Sequence, residues 1–381
     1  MTTSPVLAIS RRIRSTPFTS RVIDHGAKAF TTYNHMLLPV EFESLEYDYW
    51  HLCEHVQVWD VGAERQVSIS GRDADRLVQW MTPRDISDVE IGRFVYLPLA
   101  DEEGKLINDP IGLKMGDHHW WLSVADSDVL LWAKGLAIGA DMSVAVTEPD
   151  VWPLAVQGPK ADELMERVFG PSVKDIRFFR FAHLAYKSYS FVVARSGWSK
   201  QGGFEIYVDH GRVGQQLYDE LFEAGQDLNV RPGAPNLIER MESSLLSYGN
   251  DMDSRHSPLE SGLEHFIHLD RDLPSMSHPA LRKERSEGSA MRLSGLVLKA
   301  PSGAMPLCEY PIDDDERFFV GSQVWSPKYQ HQLATIMLDA QTDIGEEISV
   351  SLLNGESAMA RICALPFDFP CLSIKPQARV A

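Results

Sequence analysis

Apolar positions recur along the chain with two different periods, and the switches between them outline its elements. Phe42, Leu45, Tyr49 and Leu52 fall at helical spacing and predict a helix over 40–55. Val56 to Val61 and Gln66 to Ile69 read as strands, and Asp73 to Met81 fits a short helix stopped by Pro83. Phe94 to Leu99, Gly112 to Met115 and Trp120 to Val124 are further strand-like runs. Ser127 to Ile138 is helical and Met142 to Thr147 strand-like. This alternation predicts an N-terminal α+β domain over residues 1–150, preceded by an arm.

A second α+β domain is predicted over 151–270. Val151 to Val156 is strand-like, and Gly158-Pro-Lys-Ala-Asp-Glu-Leu-Met opens a helix with an early proline and acids in its first turn. Ser190 to Arg195 and Phe204 to Val208 read as two strands joined by a glycine-rich turn. A helix follows from Gly214 to Ala224, and another over 236–247 with Asn236 as its cap. Residues 270–292, with Pro274, Pro279 and clustered charges, read as a linker. Leu293 to Leu298, Phe318 to Val320, Ala334 to Leu338 and Ile348 to Leu353 then predict a small β domain over 271–381.

Composition narrows the function classes. With 44% hydrophobic and 24% charged residues over 381 positions, the chain is that of an ordinary globular protein of two or three domains. A net charge of −18 repels nucleic acid and anionic membranes, so neither is expected as a partner. No apolar run has the length of a membrane span. Cys53, Cys308, Cys363 and Cys371 are widely spaced and read as free thiols in a reducing compartment. The first 23 residues carry Arg11, Arg12, Arg14 and Arg21 without an acid, which suits a presequence or a structured arm.

The densest chemistry lies in Ser196-Gly-Trp-Ser-Lys-Gln-Gly-Gly-Phe-Glu-Ile-Tyr207. Gly202 and Gly203 permit a sharp turn or a close approach to a ligand. Glu205, at the start of a strand, is either a solvated hairpin carboxylate or a grip for a ring with paired N–H donors, such as a pterin. His51-Leu-Cys-Glu-His55 sets two histidines on one helical face in the pattern of inverted zinc metallopeptidases. It is read as the end of a structural helix, and no metal is expected. His118-His119 is read as a loop pair. No phosphate-binding loop, dinucleotide fingerprint or nucleophile elbow is present.

The 196–207 segment resembles the tetrahydrofolate-binding signature of the aminomethyltransferase family, the glycine-cleavage T-protein and its relatives. With Trp198, Lys200 and Gln201 it is more similar to the dimethylsulfoniopropionate (DMSP) demethylase branch of that family. Thr32-Tyr-Asn-His-Met-Leu-Leu-Pro39, the run from His55 to Ile69, Leu106-Ile-Asn-Asp-Pro110, Arg240-Met-Glu242 and Ser247-Tyr-Gly-Asn-Asp251 extend the resemblance over roughly residues 10–265. The resemblance implies a three-domain cloverleaf with a central folate channel and a small C-terminal β-barrel. It implies methyl transfer from DMSP to tetrahydrofolate, giving methylmercaptopropionate and 5-methyltetrahydrofolate. The alternatives are transfer from another methylated amine or sulfonium, and a non-catalytic folate-binding protein.

By the same resemblance Glu205 fixes the pterin and Asp109 faces its reactive nitrogen. Arg240 holds the folate's carboxylate tail, and Tyr96 and Tyr248 line the channel. Tyr207 and Trp198 frame the methyl group. Tyr33, Trp198, Tyr207 and Tyr96 are candidate aromatic walls for a small permanent cation, and Lys200 a partner for a substrate carboxylate. Each admits a plainer reading: core aromatics, a solvated helix face around Arg240, and a turn at Asn108-Asp-Pro110. A bacterial cytoplasmic homodimer is implied. The chain departs from the family pattern at Arg271-Asp-Leu-Pro-Ser-Met-Ser-His-Pro-Ala280 and at Gly321-Ser-Gln-Val-Trp-Ser-Pro327.

Overall fold

Strand Gly203–Val208 places alternate side chains on opposite faces of its sheet, and this alternation organises the molecule. Phe204, Ile206 and Val208 join a core with Leu154, Val156 and Val193, covered by helices Ala161–Phe169 and Gly211–Ala224. Glu205 and Tyr207 therefore face the other way. There Tyr207 packs with Phe94, Leu113 and Val192, where two sheets meet. The computed structural model of the chain describes residues 10–298, 319–352 and 355–377. The first nine residues of the expected arm, Cys308, Phe318 and Leu353 lie outside the described residues.

The sheet holding Glu205 runs, edge to edge, Phe181–Tyr186, Tyr189–Ala194, Gly203–Val208, Trp152–Gln157, Val56–Asp60 and Val230–Gly233. Its neighbours are antiparallel except the last pair, which is parallel. Val56–Asp60 is buried at every residue, and it brings the turn after it, with Glu64, beside strands from much later in the chain. The second sheet is antiparallel, in the order Ala145–Thr147, Gln66–Ser70, His119–Ser123, Ile111–Gly116 and Phe94–Tyr96. Helices Ala74–Met81 and Val129–Gly139 lie over it. The third, Phe319–Ser326, His331–Asp339, Met291–Leu298, Ser357–Cys363 and Glu347–Ser351, is antiparallel and rests on helix Leu237–Ser243 through Ile238, Met241, Val324 and Leu333. The fold is α+β as expected, but among the described residues this C-terminal sheet is open rather than a closed barrel.

Other expectations are corrected. The helix expected over 40–55 spans Leu45–Glu54, capped by the Ser44 hydroxyl, which accepts from Tyr47 N at 3.1 Å. The residues before it form a hairpin, Ala29–Tyr33 with Met36–Glu41. Asn34 and His35, with φ of 49° and 61°, supply the left-handed two-residue turn this requires. The expected linker over 270–292 contains helix His278–Glu287. Pro279 sits in its first turn, where its missing N–H costs nothing, and only His278 and Leu281 are buried, so the polar face hid the element. The helix expected over 236–247 ends at Ser243, because Ser244 takes a left-handed φ of 51°. Asn236 is the cap, accepting from Ile238 N at 3.0 Å. Among the described residues no helix is long and apolar enough to cross a membrane.

Candidate active site

Segment 196–203 is wrapped around one side chain. Gln157 ends its strand fully buried; its amide donates to Ser196 O at 3.1 Å and accepts from Ser199 Oγ at 2.8 Å. Glycine is required for this closeness. A Cβ at Gly197 (φ +149°) would lie 1.9 Å from Gln157 Nε2, and one at Gly203 (φ +152°) 2.3 Å from Val156 O. From the opposite side Glu239, buried on its helix, accepts the Lys200 N–H at 2.8 Å and the Ser243 hydroxyl at 2.8 Å. Neither Gln157 nor Glu239 stood out in the sequence. The available signal for the first was an amide side chain ending an apolar strand.

The loop delivers a hydroxyl to Glu205. Its Oε2 accepts from Ser196 Oγ and, at 3.5 Å, from the Tyr207 hydroxyl. Burial raises the Glu205 carboxyl above its ordinary range, while these two hydroxyls pull it back. Glu64 faces it from the turn between strands Val56–Asp60 and Gln66–Ser70. Burial first, and then the Glu205 charge, push Glu64 up to about 8. Tyr207 is raised by burial and by both carboxylates. Glu64 was missed by the sequence reading, because an acid beside Arg65 in a turn is indistinguishable from a solvated pair.

A second acid–phenol pair adjoins the first. The Tyr96 hydroxyl donates to Asp109 Oδ2 at 2.8 Å, and burial pushes Asp109 up to about 7 against that bond. Asn108 holds the bend from behind, its amide donating to Ala125 O at 3.1 Å and Ser127 Oγ at 2.8 Å. The Tyr96 ring packs against Phe266 at 4.6 Å. Tyr33, at the hairpin tip, connects the two pairs: burial raises it, and the charges of Glu64, Asp109 and Asp126 raise it further. Glu64, Glu205, Asp109, Tyr33, Tyr96 and Tyr207 are thus linked pair by pair into one cluster of acids and phenols. Its field is negative and its phenols offer aromatic faces, which suits cations and ligands that donate N–H groups.

The remaining candidates stand at the rim or behind it. Trp198 is half-buried with the Arg240 guanidinium 5.4 Å from its ring centroid, and Lys200 is exposed. Arg240 is 4% exposed and makes contacts within the protein: it donates to Asp251 at 2.7 Å, to Leu245 O at 2.9 Å and to Ser322 Oγ. Tyr248 is buried against Leu106 and Met252, its hydroxyl 3.4 Å from Leu106 O, and burial pushes it up to about 12. In the His51–His55 motif, His51 Nε2 lies 2.9 Å from Asn229 O and Lys160 Nζ 3.0 Å from His55 Nδ1. Among the described residues no group of acids, histidines or cysteines has the arrangement of a metal site.

The model of the GCVT N-terminal domain family matches residues 18–271. The chain is 49% identical to a dimethylsulfoniopropionate demethylase of Ruegeria pomeroyi over 334 residues, 87% of this chain and 90% of the relative. It is 25% identical to an aminomethyltransferase of Thermosipho melanesiensis over 93% of this chain and 97% of that one. The fold matches the crystal structure of the glycine cleavage system aminomethyltransferase T from Bartonella henselae with a TM-score of 0.81, covering 93% of this chain and 98% of that one at 18% identity.

Proposed function

This chain belongs to the GCVT, or aminomethyltransferase, family, and from that premise we propose that it is a tetrahydrofolate-dependent DMSP demethylase. The observation that carries the reading is the similarity to the Ruegeria demethylase across nearly the whole of both chains. The chemistry of the acid–phenol cluster supports the reading for both reactants. Among the described residues Glu205 receives two hydroxyls, which leaves carboxylate lone pairs for a pterin's N–H donors. The acidic, phenol-lined walls suit a sulfonium.

In the reaction the sulfonium's S–CH3 bond breaks with its electrons going to sulfur, an N–CH3 bond forms at N5 of tetrahydrofolate, and the N5 proton is lost. The sulfur departs as a neutral thioether, so the protein need not supply a covalent nucleophile. Its work is alignment and the exclusion of water, which in favourable cases lowers a barrier by about 7–11 kcal/mol. Glu205 orients the pterin. Asp109, raised towards neutrality, takes up the departing proton. Tyr207 and Trp198 frame the methyl group, Tyr33 and Tyr96 close the walls, and Lys200 meets the substrate carboxylate. Tyr248 backs the channel, and Arg240 steadies Trp198 from behind. A cytoplasmic homodimer completes the proposal.

The test is an anaerobic incubation of the purified protein with tetrahydrofolate and DMSP, following products by mass spectrometry. Equimolar 5-methyltetrahydrofolate and methylmercaptopropionate are expected. Folate binding without either product would redirect the assignment to another methyl donor.

A further inference from the structure

We propose that Glu239 is a positioning residue for folate: with Gln157 it clamps segment 196–203 from two sides, and the clamp holds the Ser196 hydroxyl on Glu205. The inference rests on the proposed reading of Glu205 as the acceptor for the pterin.

From Ser196 to Gly202 the chain forms neither helix nor strand, so its shape depends on contacts from elsewhere. Its ends are fixed by Gln157 and its neighbour: the Gln157 amide donates to Ser196 O at 3.1 Å, and Gly158 N donates to Gly202 O at 2.9 Å. The apex is held by two side chains. Ser199 Oγ donates to Gln157 Oε1 at 2.8 Å, and Lys200 N donates to Glu239 Oε1 at 2.8 Å. The Gln201 amide reaches the same Glu239 oxygen at 3.5 Å. Arg240, the next residue of the helix, sets its guanidinium 5.4 Å from the Trp198 ring centroid. Helix Leu237–Ser243 therefore meets the apex at two consecutive residues. Its own seat is firm, with Ile238 and Met241 packed against Val324 and Leu333 of the C-terminal sheet.

The Glu239 carboxylate is used on one side only. It is 2% exposed, and Oε1 takes the Lys200 N–H, the Gln201 amide and the Ser243 hydroxyl. Oε2 is enclosed and receives no hydrogen bond from any described residue. Enclosing a half-satisfied carboxylate is costly, and an apolar side chain of the same size would avoid that cost. What Glu239 gains is a charge-assisted bond to a backbone N–H at the apex of the segment that presents Ser196. Without that bond the segment spends part of its time in other shapes, with the Ser196 hydroxyl off Glu205. Folate then binds only the competent fraction, so the loss falls on folate affinity. Trp198 and Lys200 belong to the same apex, so donor affinity moves in the same direction. The rate with both reactants saturating is largely kept, because bound folate restores the competent shape.

The experiment combines fluorescence titration of the full chain with tetrahydrofolate and steady-state rates with DMSP. Glu239→Met removes the acceptor and keeps the length of the side chain. It is expected to raise Kd and KM for tetrahydrofolate about tenfold, with kcat at saturation within about threefold of wild type. Glu239→Gln keeps an acceptor for Lys200 N and breaks no bond at Oε2, so it is expected to recover most of the affinity. In a Ser196→Ala background Glu239→Met should cost less than about threefold more, because the hydroxyl it serves is gone. Glu239→Ala, measured in the same way, covers a Met variant that fails to fold. An unchanged Kd, a fall in kcat alone, or full additivity with Ser196→Ala overturns the inference. A wild type that binds no tetrahydrofolate refutes the functional reading instead. Amide hydrogen exchange then judges the clamp: protection lost in Glu239→Met only over residues 197–202 supports it, and unchanged exchange overturns it.

Discussion

The Tyr96 hydroxyl donates to Asp109 Oδ2 at 2.8 Å, joining a strand-end phenol to the carboxylate that follows Asn108. Burial raises Asp109 to about 7, and the Tyr96 bond is the larger of the two hydrogen bonds that hold it down, the other being to backbone. Methylating a secondary nitrogen releases a proton, and only ionised Asp109 can accept it. Turnover should therefore rise with pH through an inflection at about 7. Tyr96→Phe should move that inflection upward by about one unit. Asp109→Asn should flatten the limb and lower turnover by about a hundredfold. Single-turnover rates across pH read all three, and an inflection unmoved by Tyr96→Phe would detach the pair from the proton transfer.

Glu205 separates binding from folding. Its backbone pairs with Ala155 and Ala194 whatever the side chain, and the apolar neighbours Phe204 and Ile206 lie on the far face. Glu205→Ala takes the acceptor from the Ser196 hydroxyl, at a cost of about 1–3 kcal/mol, while the Tyr207 hydroxyl keeps Ser123. Folate affinity should fall by about a hundredfold or more, because a charged acceptor is lost from the pterin. Denaturant melts beside fluorescence titrations compare the two. Wild-type turnover in this variant would remove Glu205 from the site.

The parts of the site readable in the sequence were those with a local signature. Gly202, Gly203 and Glu205 share one strand–turn–strand unit, and Asp109 sits in a turn of its own. Glu64, Gln157 and Glu239 depend on contacts between distant segments. Gln157 binds the loop 39 residues on, and Glu239 reaches back to Lys200 from a later helix. Arg240 illustrates the limit from the other side. Its sequence position suits a tail-binding cation, but only the fold reveals Asp251 and Ser322 around it. The same applies to architecture: strand Val56–Asp60 is plain from its apolar residues, while its parallel partner Val230–Gly233 contains Pro232 and Gly233 and carries no strand pattern.

The acids Glu64 and Asp109 also set a pH dependence of stability in the ligand-free protein. Glu64 and Asp109 have folded-state values raised to about 8 and about 7, above those of the unfolded chain. For carboxyls raised on folding, stability is fully present below the unfolded value and is lost as pH climbs through the folded one. The free protein should therefore lose stability between about pH 4 and pH 8 through these groups. Glu64→Gln should melt higher than wild type at pH 8 and no higher at pH 5. Thermal scans at the two pH values check this, and an equal shift at both would rule out titration as its cause.

Arg240 and Asp251 form the most enclosed ion pair that bears on the site, 4% and 0% exposed and 2.7 Å apart. Asp251 is fully satisfied: it accepts from Ser247 N at 2.8 Å, Thr335 Oγ1 at 2.7 Å and Ser322 N at 3.2 Å, so it ties the 247–252 turn to the C-terminal sheet. Arg240→Met leaves this carboxylate uncompensated in the interior, a loss of about 3–5 kcal/mol. Adding Asp251→Asn should recover part of that loss, because the pair is removed together and the two changes are coupled. The guanidinium also backs Trp198, so Arg240→Met should weaken donor binding in the folded fraction as well. Urea melts of the two single variants and the double variant give the coupling energy. An Arg240→Gln variant of wild-type stability but lowered folate affinity would instead assign Arg240 to the folate tail, as the family resemblance implies.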